Sequence, residues 1–220
     1  MMEQSRLQDR ISWGLNITAR HIGRSTDVFR PNGPTDPLAL TNRFLRLNAA
    51  FSAPDGKFIR PNGYGNPIWH GVFDGAYTQP GDFLTQDQDI WFIAAQQKLL
   101  PILCIQTNRV VSFVRPAAPN STGLNAYGGI SLQTATALIT NYPASVLGAS
   151  GAGQPTANLP TDTSIDTWTI LLPAATARDG SPIILRPADL MVDDFGRTAI
   201  VSGSELTELG WRLTVKQATT

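Results

Sequence analysis

The sequence is poor in cysteine and in charge, and each shortage excludes a class of protein. With Cys104 as its only cysteine, the chain cannot form an intramolecular disulfide. Charged residues make up 15% of the 220 residues, against about 25% in an average soluble domain. No apolar run approaches the roughly 18 residues that a membrane-spanning helix needs, and the first residues lack the apolar segment of a signal peptide. We therefore expect no membrane anchor, and a protein made in the cytosol and kept there or packed into a particle assembled there.

Residues that could perform catalysis are equally scarce. A hydrolytic triad needs a base beside its nucleophile, and that base is usually histidine. The sequence has two histidines, His21 and His70, and neither lies in a nucleophile motif. No Gly-x-Ser-x-Gly motif and no phosphate-binding glycine-lysine loop occurs. Cys104 lies among apolar residues, where a thiol behaves as a small buried hydrophobe. We predict no catalytic residue, no bound cofactor and no enzymatic activity.

Two pairs of carboxylates are candidate cation ligands. Asp87 and Asp89 are separated by one residue, and Asp193 and Asp194 are adjacent. Hard cations prefer such oxygen ligands, but neither pair has the spacing of a calcium-binding loop. Both fall where aspartate is favoured in tight turns, because its carboxylate accepts hydrogen bonds from backbone amides nearby. The sequence therefore predicts turns here and no metal site.

Apolar residues, glycine and proline are abundant, and together they favour short strands joined by turns. Hydrophobic residues make up 42% of the chain, with 19 glycines and 16 prolines. Pro-Asn-Gly occurs at 31–33 and 61–63, and Pro-Asp-Gly at 54–56. In these triplets proline fixes the first turn corner, and Asn or Gly tolerates the positive φ that follows. A surface with few charged groups also suits large protein interfaces, whose centres are depleted of charge.

Net charge is zero overall but is divided unevenly along the chain. Residues 1–116 carry 12 Lys and Arg against 9 Asp and Glu, whereas residues 117–220 carry 5 against 8. The basic end could face an acidic partner. The imbalance is too small to indicate nucleic-acid binding, which usually needs a clustered Lys/Arg stripe.

One helix is predicted, over residues 1–23. Ser5 followed by Gln8 has the spacing of a capping box, and Gly23 stands where a left-handed C-terminal cap would form. The helix could be an arm that docks on a neighbouring subunit, or it could lie on its own domain. The residues of its apolar stripe, and so the candidate docking residues, are Leu7, Ile11, Leu15 and Ile22.

Beyond the helix, period-two alternation and turn residues predict strands in two groups. In the first group, residues 38–50 are ambiguous between a short helix and a strand, and Thr107-Asn108 is predicted to join the last two strands as a hairpin. The predicted strands are 26–30, 57–60, 68–73, 90–95, 99–106 and 109–114 in the first group, and 167–172, 183–185, 197–201 and 211–216 in the second.

An internal repeat supports this division into two groups. Pro80 and Asp82 align with Pro187 and Asp189 at an offset of 107 positions. Each copy reads as a turn, a short strand, an acidic tight turn and a strand leading back. Continued without a gap, the alignment pairs Ile93 with Ile200. We predict a mainly β fold: two small β-barrel-like modules in tandem with an N-terminal helix.

The domain boundaries follow from composition and from this repeat. We predict a first barrel at 24–116 and a second at 130–220. Between them, residues 117–129 are rich in Pro, Gly, Asn and Ala and are predicted to be a linker. Residues 148–164 are predicted to form a long loop of the second barrel, and loops of that length are often binding loops.

Residues 187–217 resemble the last part of head–tail joining and neck proteins of tailed bacteriophages. Those proteins carry a Pro-x-Asp turn, a short strand, an Asp-x-Gly-Arg turn, a strand, and a final strand with a Leu-Gly-Trp-Arg-Leu element. In this chain the second turn is Asp194, Gly196 and Arg197, and the final element is 209–213. Residues 80–115 are similar to a second variant, with Asp89 where the turn glycine is expected.

The resemblance implies a structural virion protein: a ring-forming component of the head–tail connector or upper tail, around the DNA channel. Its implied partners are further copies of itself, the portal and other head–tail or tail proteins, and the passing DNA. Its implied location is the neck or tail of a particle assembled in the bacterial cytoplasm. Two alternatives stay open: a tail hub or fibre-attachment protein, and a virion-associated hydrolase of the cell envelope, for which the sequence supplies no acid pair or triad.

Overall fold

The computed structural model describes residues 2–53, 67–116, 135–148 and 167–217, with the side chains of the first helix from Arg6 onward. Within them the chain is mainly β, with one α-helix followed by twelve strands. The helix, α1, spans Met2–Ile22. The strands are β1 (Arg24–Phe29), β2 (Arg43–Ser52), β3 (Ile68–Val72), β4 (Phe83–Gln86), β5 (Asp89–Ala95), β6 (Ile102–Gln106), β7 (Arg109–Arg115), β8 (Thr136–Gly148), β9 (Thr167–Leu172), β10 (Leu190–Asp193), β11 (Thr198–Thr207) and β12 (Gly210–Gln217).

The strands form two closed antiparallel barrels of six strands each. The first has the order β1-β2-β3-β6-β5-β4, and the second has the order β7-β8-β9-β12-β11-β10. The two orders are identical when β1 is matched with β7. Closure leaves neither sheet with an open edge. The prediction of two tandem barrel-like modules with an N-terminal helix is therefore confirmed, and both modules have one topology.

The boundary between the barrels lies elsewhere than predicted. Strand β7 pairs with β8 and β10, so it belongs to the second barrel and not to 24–116. Thr107 donates its backbone N–H to Ile90 of the first barrel, and Asn108 donates its own to Ala144 of the second. The chain thus passes from barrel to barrel within two residues, and the predicted hairpin at Thr107-Asn108 is wrong. The alternation of apolar and polar residues shows which side chains face a core, but not which strand is the pairing partner. It therefore could not distinguish a hairpin at this point from a crossing into the second barrel.

The residues predicted as a linker, 117–129, lie outside the described residues, in the connection between β7 and β8. The predicted strand 57–60 and nearly all of the predicted loop 148–164 also lie outside them. Residues 183–185, predicted as a strand, form no ladder, although Ile183 donates its backbone N–H to Ala175. Residues 38–50 divide into a 3-10 turn at Leu40–Asn42 and strand β2.

Helix α1 is followed directly by β1, and Gly23 makes this sharp connection possible. Gly23 donates its N–H to the Ala19 carbonyl at 2.8 Å. A Cβ at position 23 would lie 2.5 Å from that oxygen and 2.8 Å from the carbonyl oxygen of Ala49. The glycine is therefore required for close approach of the backbone and not for a left-handed cap. Because the helix begins before Ser5, the predicted capping box does not mark its start.

Each barrel has a buried core, and the core of the second barrel extends onto the wall of the first. On β4, Leu84 points into the first barrel while its neighbour Phe83 points outward, since successive strand side chains face opposite sides. The Phe83 ring lies 6.1 Å from that of Phe92 and 6.1 Å, edge-on, from that of Tyr142 in the second barrel. The barrels are thus joined by a continuous apolar core.

Backbone hydrogen bonds add to this junction. Thr140 of β8 donates its N–H to Pro34 at 2.8 Å, and Asp36 donates its N–H to Thr140 at 2.9 Å. The buried Tyr142 hydroxyl donates to the Gly33 carbonyl oxygen at 2.7 Å. A segment of the first barrel thereby runs against β8 of the second.

Replacing Tyr142 by phenylalanine is expected to lower the free energy of unfolding by about 1–3 kcal/mol, because the buried Gly33 carbonyl loses its donor. Burial raises the pKa of Tyr142 to about 12 from a usual value of 10.0. A raised pKa in the folded state means that this part of the stability is complete below pH 10 and is lost between pH 10 and 12. Urea titrations of both forms from pH 8 to 12 measure this. The alkaline loss should be smaller in the variant, and an equal loss in both would contradict the assignment.

Candidate functional site

The Pro-x-Asp turn of the first barrel is held by an ion pair whose carboxylate is buried. Asp82 has 1% of its side chain exposed and receives two hydrogen bonds from Arg30, from Nε to Oδ1 at 2.9 Å and from Nη2 to Oδ2 at 2.8 Å. The backbone N–H of Gln79 donates to Oδ2 at 2.9 Å. Arg30 Nη2 also donates to the Tyr77 carbonyl at 3.1 Å. Both carboxylate oxygens are therefore engaged in fixing the turn.

The second barrel repeats this arrangement atom for atom. Asp189, with 3% of its side chain exposed, receives Nε and Nη2 of Arg115 at 2.8 and 2.9 Å. The Arg186 N–H donates to Oδ2 at 2.8 Å, and Arg115 Nη2 also reaches the Ile184 carbonyl. We call each set of contacts an Arg–Asp clamp: Arg30–Asp82 in the first barrel and Arg115–Asp189 in the second.

The residue between Pro and Asp has a left-handed backbone in both copies. Gly81 has φ +94° and Ala188 has φ +73°. A left-handed alanine costs about 1 kcal/mol, and the surrounding clamp keeps it in place. Gly81 donates its N–H to Ile93, and Ala188 donates its N–H to Val201. Ile93 therefore corresponds to Val201 and not to Ile200, because the turn after β10 is one residue longer than the turn after β4.

The clamp arginines were missed in the sequence. Arg30 directly follows β1 and Arg115 is the last residue of β7. Each is followed by proline, Arg30 by Pro31 and Arg115 by Pro116. That pattern was the available signal, but Arg-Pro also occurs at 60–61 and 186–187, so the pattern alone could not identify the clamp arginines. The hydrogen bonds of Asp82 and Asp189 raise the pKa of Arg30 and Arg115 respectively, so both guanidinium groups stay charged.

The acidic turn of the second barrel is organised by Asp193, although the motif pointed to Asp194. Asp193 Oδ1 accepts the N–H groups of Phe195 and Arg197, and Oδ2 accepts Arg197 Nε at 2.7 Å. Gly196 has φ +74° and donates its N–H to the Asp193 carbonyl. Asp194 is instead exposed, 4.0 Å from Arg109. The motif therefore locates the turn correctly, and the side chain that holds it precedes the expected one.

The N-terminal helix lies on its own barrel, against β2 and β3. Asn16 donates to Asp74 at 3.3 Å, and Gln8 accepts the N–H of Leu99 at 2.8 Å. The buried residue of the docked face is Ala19, which is 1% exposed. Of the predicted docking residues, Ile11 and Leu15 are half-buried against the barrel, and Leu7 and Ile22 are exposed.

The candidate cation ligands Asp87 and Asp89 each bind another side chain of the first barrel. Among the described residues, no group of three His, Cys, Asp or Glu side chains could hold a metal ion. Asp87 pairs with Arg24 at 3.0 Å, and Asp89 accepts a hydrogen bond from Gln106. In the part of the chain that the structure describes, no helix has the length and apolarity to span a membrane.

Cys104 is fully buried in the first barrel, and burial raises the pKa of its thiol well above the usual value. We expect it to be unreactive toward a thiol reagent in the folded protein, because the thiolate is the reacting form. Labelling by an aromatic disulfide reagent, followed by absorbance, should be at least about 100-fold slower than in 6 M guanidinium chloride. Fast labelling without denaturant would show that the barrel opens readily.

Comparison of the chain with protein-family models, with curated proteins and with solved structures finds no match.

Proposed function

We propose that this chain is a structural virion protein of a tailed bacteriophage, a ring-forming component of the head–tail connector or upper tail around the DNA channel. The observation that carries the proposal is the duplicated Arg–Asp clamp. The segment that resembles phage neck proteins, 187–217, includes one clamp aspartate and the last three strands of one barrel, and the same unit recurs in the first barrel. The carboxylates of this motif are used to hold turns, which is a structural task.

The junction between the barrels supports a role in assembly. A continuous core and a two-residue crossing make one rigid block of the two barrels. Both sheets are closed, so association by adding a strand at an edge is unavailable to them. Contacts with other subunits would then use side chains on helix, turns and barrel walls.

Exposed apolar side chains on those elements are suited to such contacts. Trp13, Ile22, Leu40, Tyr77 and Phe195 are 63–78% exposed. Single exposed apolar residues are common in any protein, but here they accompany a low charge content. The proposed partners are further copies of the chain, the portal and other head–tail or tail proteins, with non-specific contact to passing DNA.

The test is the oligomeric mass of the purified chain and its position in a particle. We expect native mass spectrometry and electron microscopy to show a closed ring of about six to twelve subunits, and gold-labelled subunits to lie in the neck or upper tail. A label at the tail tip would favour the hub or fibre-attachment alternative. Peptidoglycan cleavage that is lost on replacing a single carboxylate would favour the hydrolase and overturn the proposal.

A further inference from the structure

The face of α1 that points away from the barrel carries a regular stripe of cations and apolar side chains. The spacing of its members, alternately four and three residues, places them on one side of the helix. All five are exposed, Trp13 at 67% and Ile17 at 36%. We call this set the outer stripe of α1: Arg6, Arg10, Trp13, Ile17 and Arg20.

The cations of the outer stripe have no ionic partner in the described part of their own chain. Arg6, Arg10 and Arg20 form no ion pair there, although seven ion pairs occur elsewhere in it. The opposite side of the helix faces the first barrel, with the buried Ala19 and with Gln8, which accepts the N–H of Leu99. Docking therefore leaves three positive charges and two apolar side chains facing outward.

The second barrel carries a surface of the opposite character, at the end of the β11–β12 hairpin. Glu205 and Glu208 alternate with Leu206 and Leu209, which are 50% and 42% exposed. Arg212 lies across the ladder from Glu205, yet neither glutamate forms an ion pair within the described residues. We call Glu205, Leu206, Glu208 and Leu209 the hairpin tip.

We propose that the outer stripe of α1 on one copy binds the hairpin tip of the next copy. The inference rests on the proposed ring and names the surfaces that close it. Arginines would meet glutamates, while Trp13 and Ile17 would cover Leu206 and Leu209. Charge complementarity of this kind steers encounter and fixes the register of an interface.

The two surfaces belong to different barrels of a rigid block, and this determines the type of assembly. A contact between two different patches is heterologous, so each copy uses its stripe on one neighbour and its tip on the other. Repetition closes a ring when the rotation between copies permits it. Each surface has only four or five residues, against the roughly 20–30 per partner of a stable interface, so closure of the ring must supply the cooperativity.

The experiment uses two variants of the full-length chain, each of which reverses the charge of one of the two surfaces. A helix variant carries Arg6→Glu and Arg10→Glu, and a tip variant carries Glu205→Arg and Glu208→Arg. We expect each alone to raise the concentration needed for assembly at least about tenfold. An equimolar mixture should reassemble, because every contact in an alternating ring is again between opposite charges. Native mass spectrometry should show equal numbers of the two variants.

The control is a variant with Arg178→Glu and Lys216→Glu, two exposed residues that lie on neither surface; it changes net charge as much as the helix variant does. It should assemble like the original chain, and circular dichroism should show that all variants are folded. If each variant alone still forms rings at the concentration at which the wild-type chain does, this inference is overturned, while the proposed ring stands. A wild-type chain that stays monomeric at every concentration would overturn both. Loss of binding to duplex DNA in the helix variant, with the ring intact, would assign the stripe to nucleic acid instead.

Discussion

Replacing Asp189 by alanine is expected to lower the free energy of unfolding by about 2–4 kcal/mol. The change removes a carboxylate that accepts three hydrogen bonds, two of them from the Arg115 guanidinium. Hydrogen bonds to buried charges are worth more than neutral ones, and breaking a fully buried pair costs about 3–5 kcal/mol. The lower range is expected here because Arg115 is one-third exposed, so water can solvate it after the change.

Asp82→Ala should have an effect of the same size, since its clamp has the same donors. The matched control is Asp27→Ala. Asp27 is also bound by two arginines, and their hydrogen bonds lower its pKa, but its side chain is 21% exposed. Its loss should therefore cost clearly less than the loss of either clamp. Urea unfolding followed by circular dichroism measures all three, and an Asp27→Ala effect as large as the other two would contradict the importance of burial.

Phe83→Ala is expected to cost about 3–5 kcal/mol, because it opens a cavity in the core shared by the two barrels. The fully buried neighbour Leu84 is the control, since it points into the first barrel alone. Both variants should still unfold in a single transition, because the continuous core couples the barrels.

Hydrogen exchange read by mass spectrometry can separate the barrels. In Phe83→Ala, the amides of β12 in the second barrel should lose as much protection as those of β5 in the first. Two separate unfolding transitions, with β12 unaffected, would contradict a shared core. Reactivity of Cys104 gives an independent report on the first barrel.

The sequence predicted the elements whose signals are local. Helix α1 has its apolar spacing within 23 residues, and β9 (Thr167–Leu172) matches its predicted limits because alternation and turn residues are both contained in the segment. The tandem barrels were predicted because the Pro-x-Asp turn occurs twice at a fixed offset. A turn is formed by a few adjacent residues, so it can be predicted from the sequence without knowledge of the fold.

The features that escaped prediction depend on residues far apart in the chain. Arg30 and Asp82 are 52 positions apart, and Arg115 and Asp189 are 74 apart. Such residues become neighbours only in the folded barrel, so no rule based on spacing in the sequence relates them. The assignment of β7 to the first barrel failed for the same reason, since its pairing partners are β8 and β10 and not the strand before it.

The crossing at Thr107–Asn108 also determines how the protein can move. Thr107 is hydrogen-bonded to the first barrel and Asn108 to the second, where its side chain exchanges two further bonds with Val146. No free length of chain is left at this point to serve as a hinge. A rotation of the first barrel must therefore carry the second barrel with it, so the subunit moves as one rigid body.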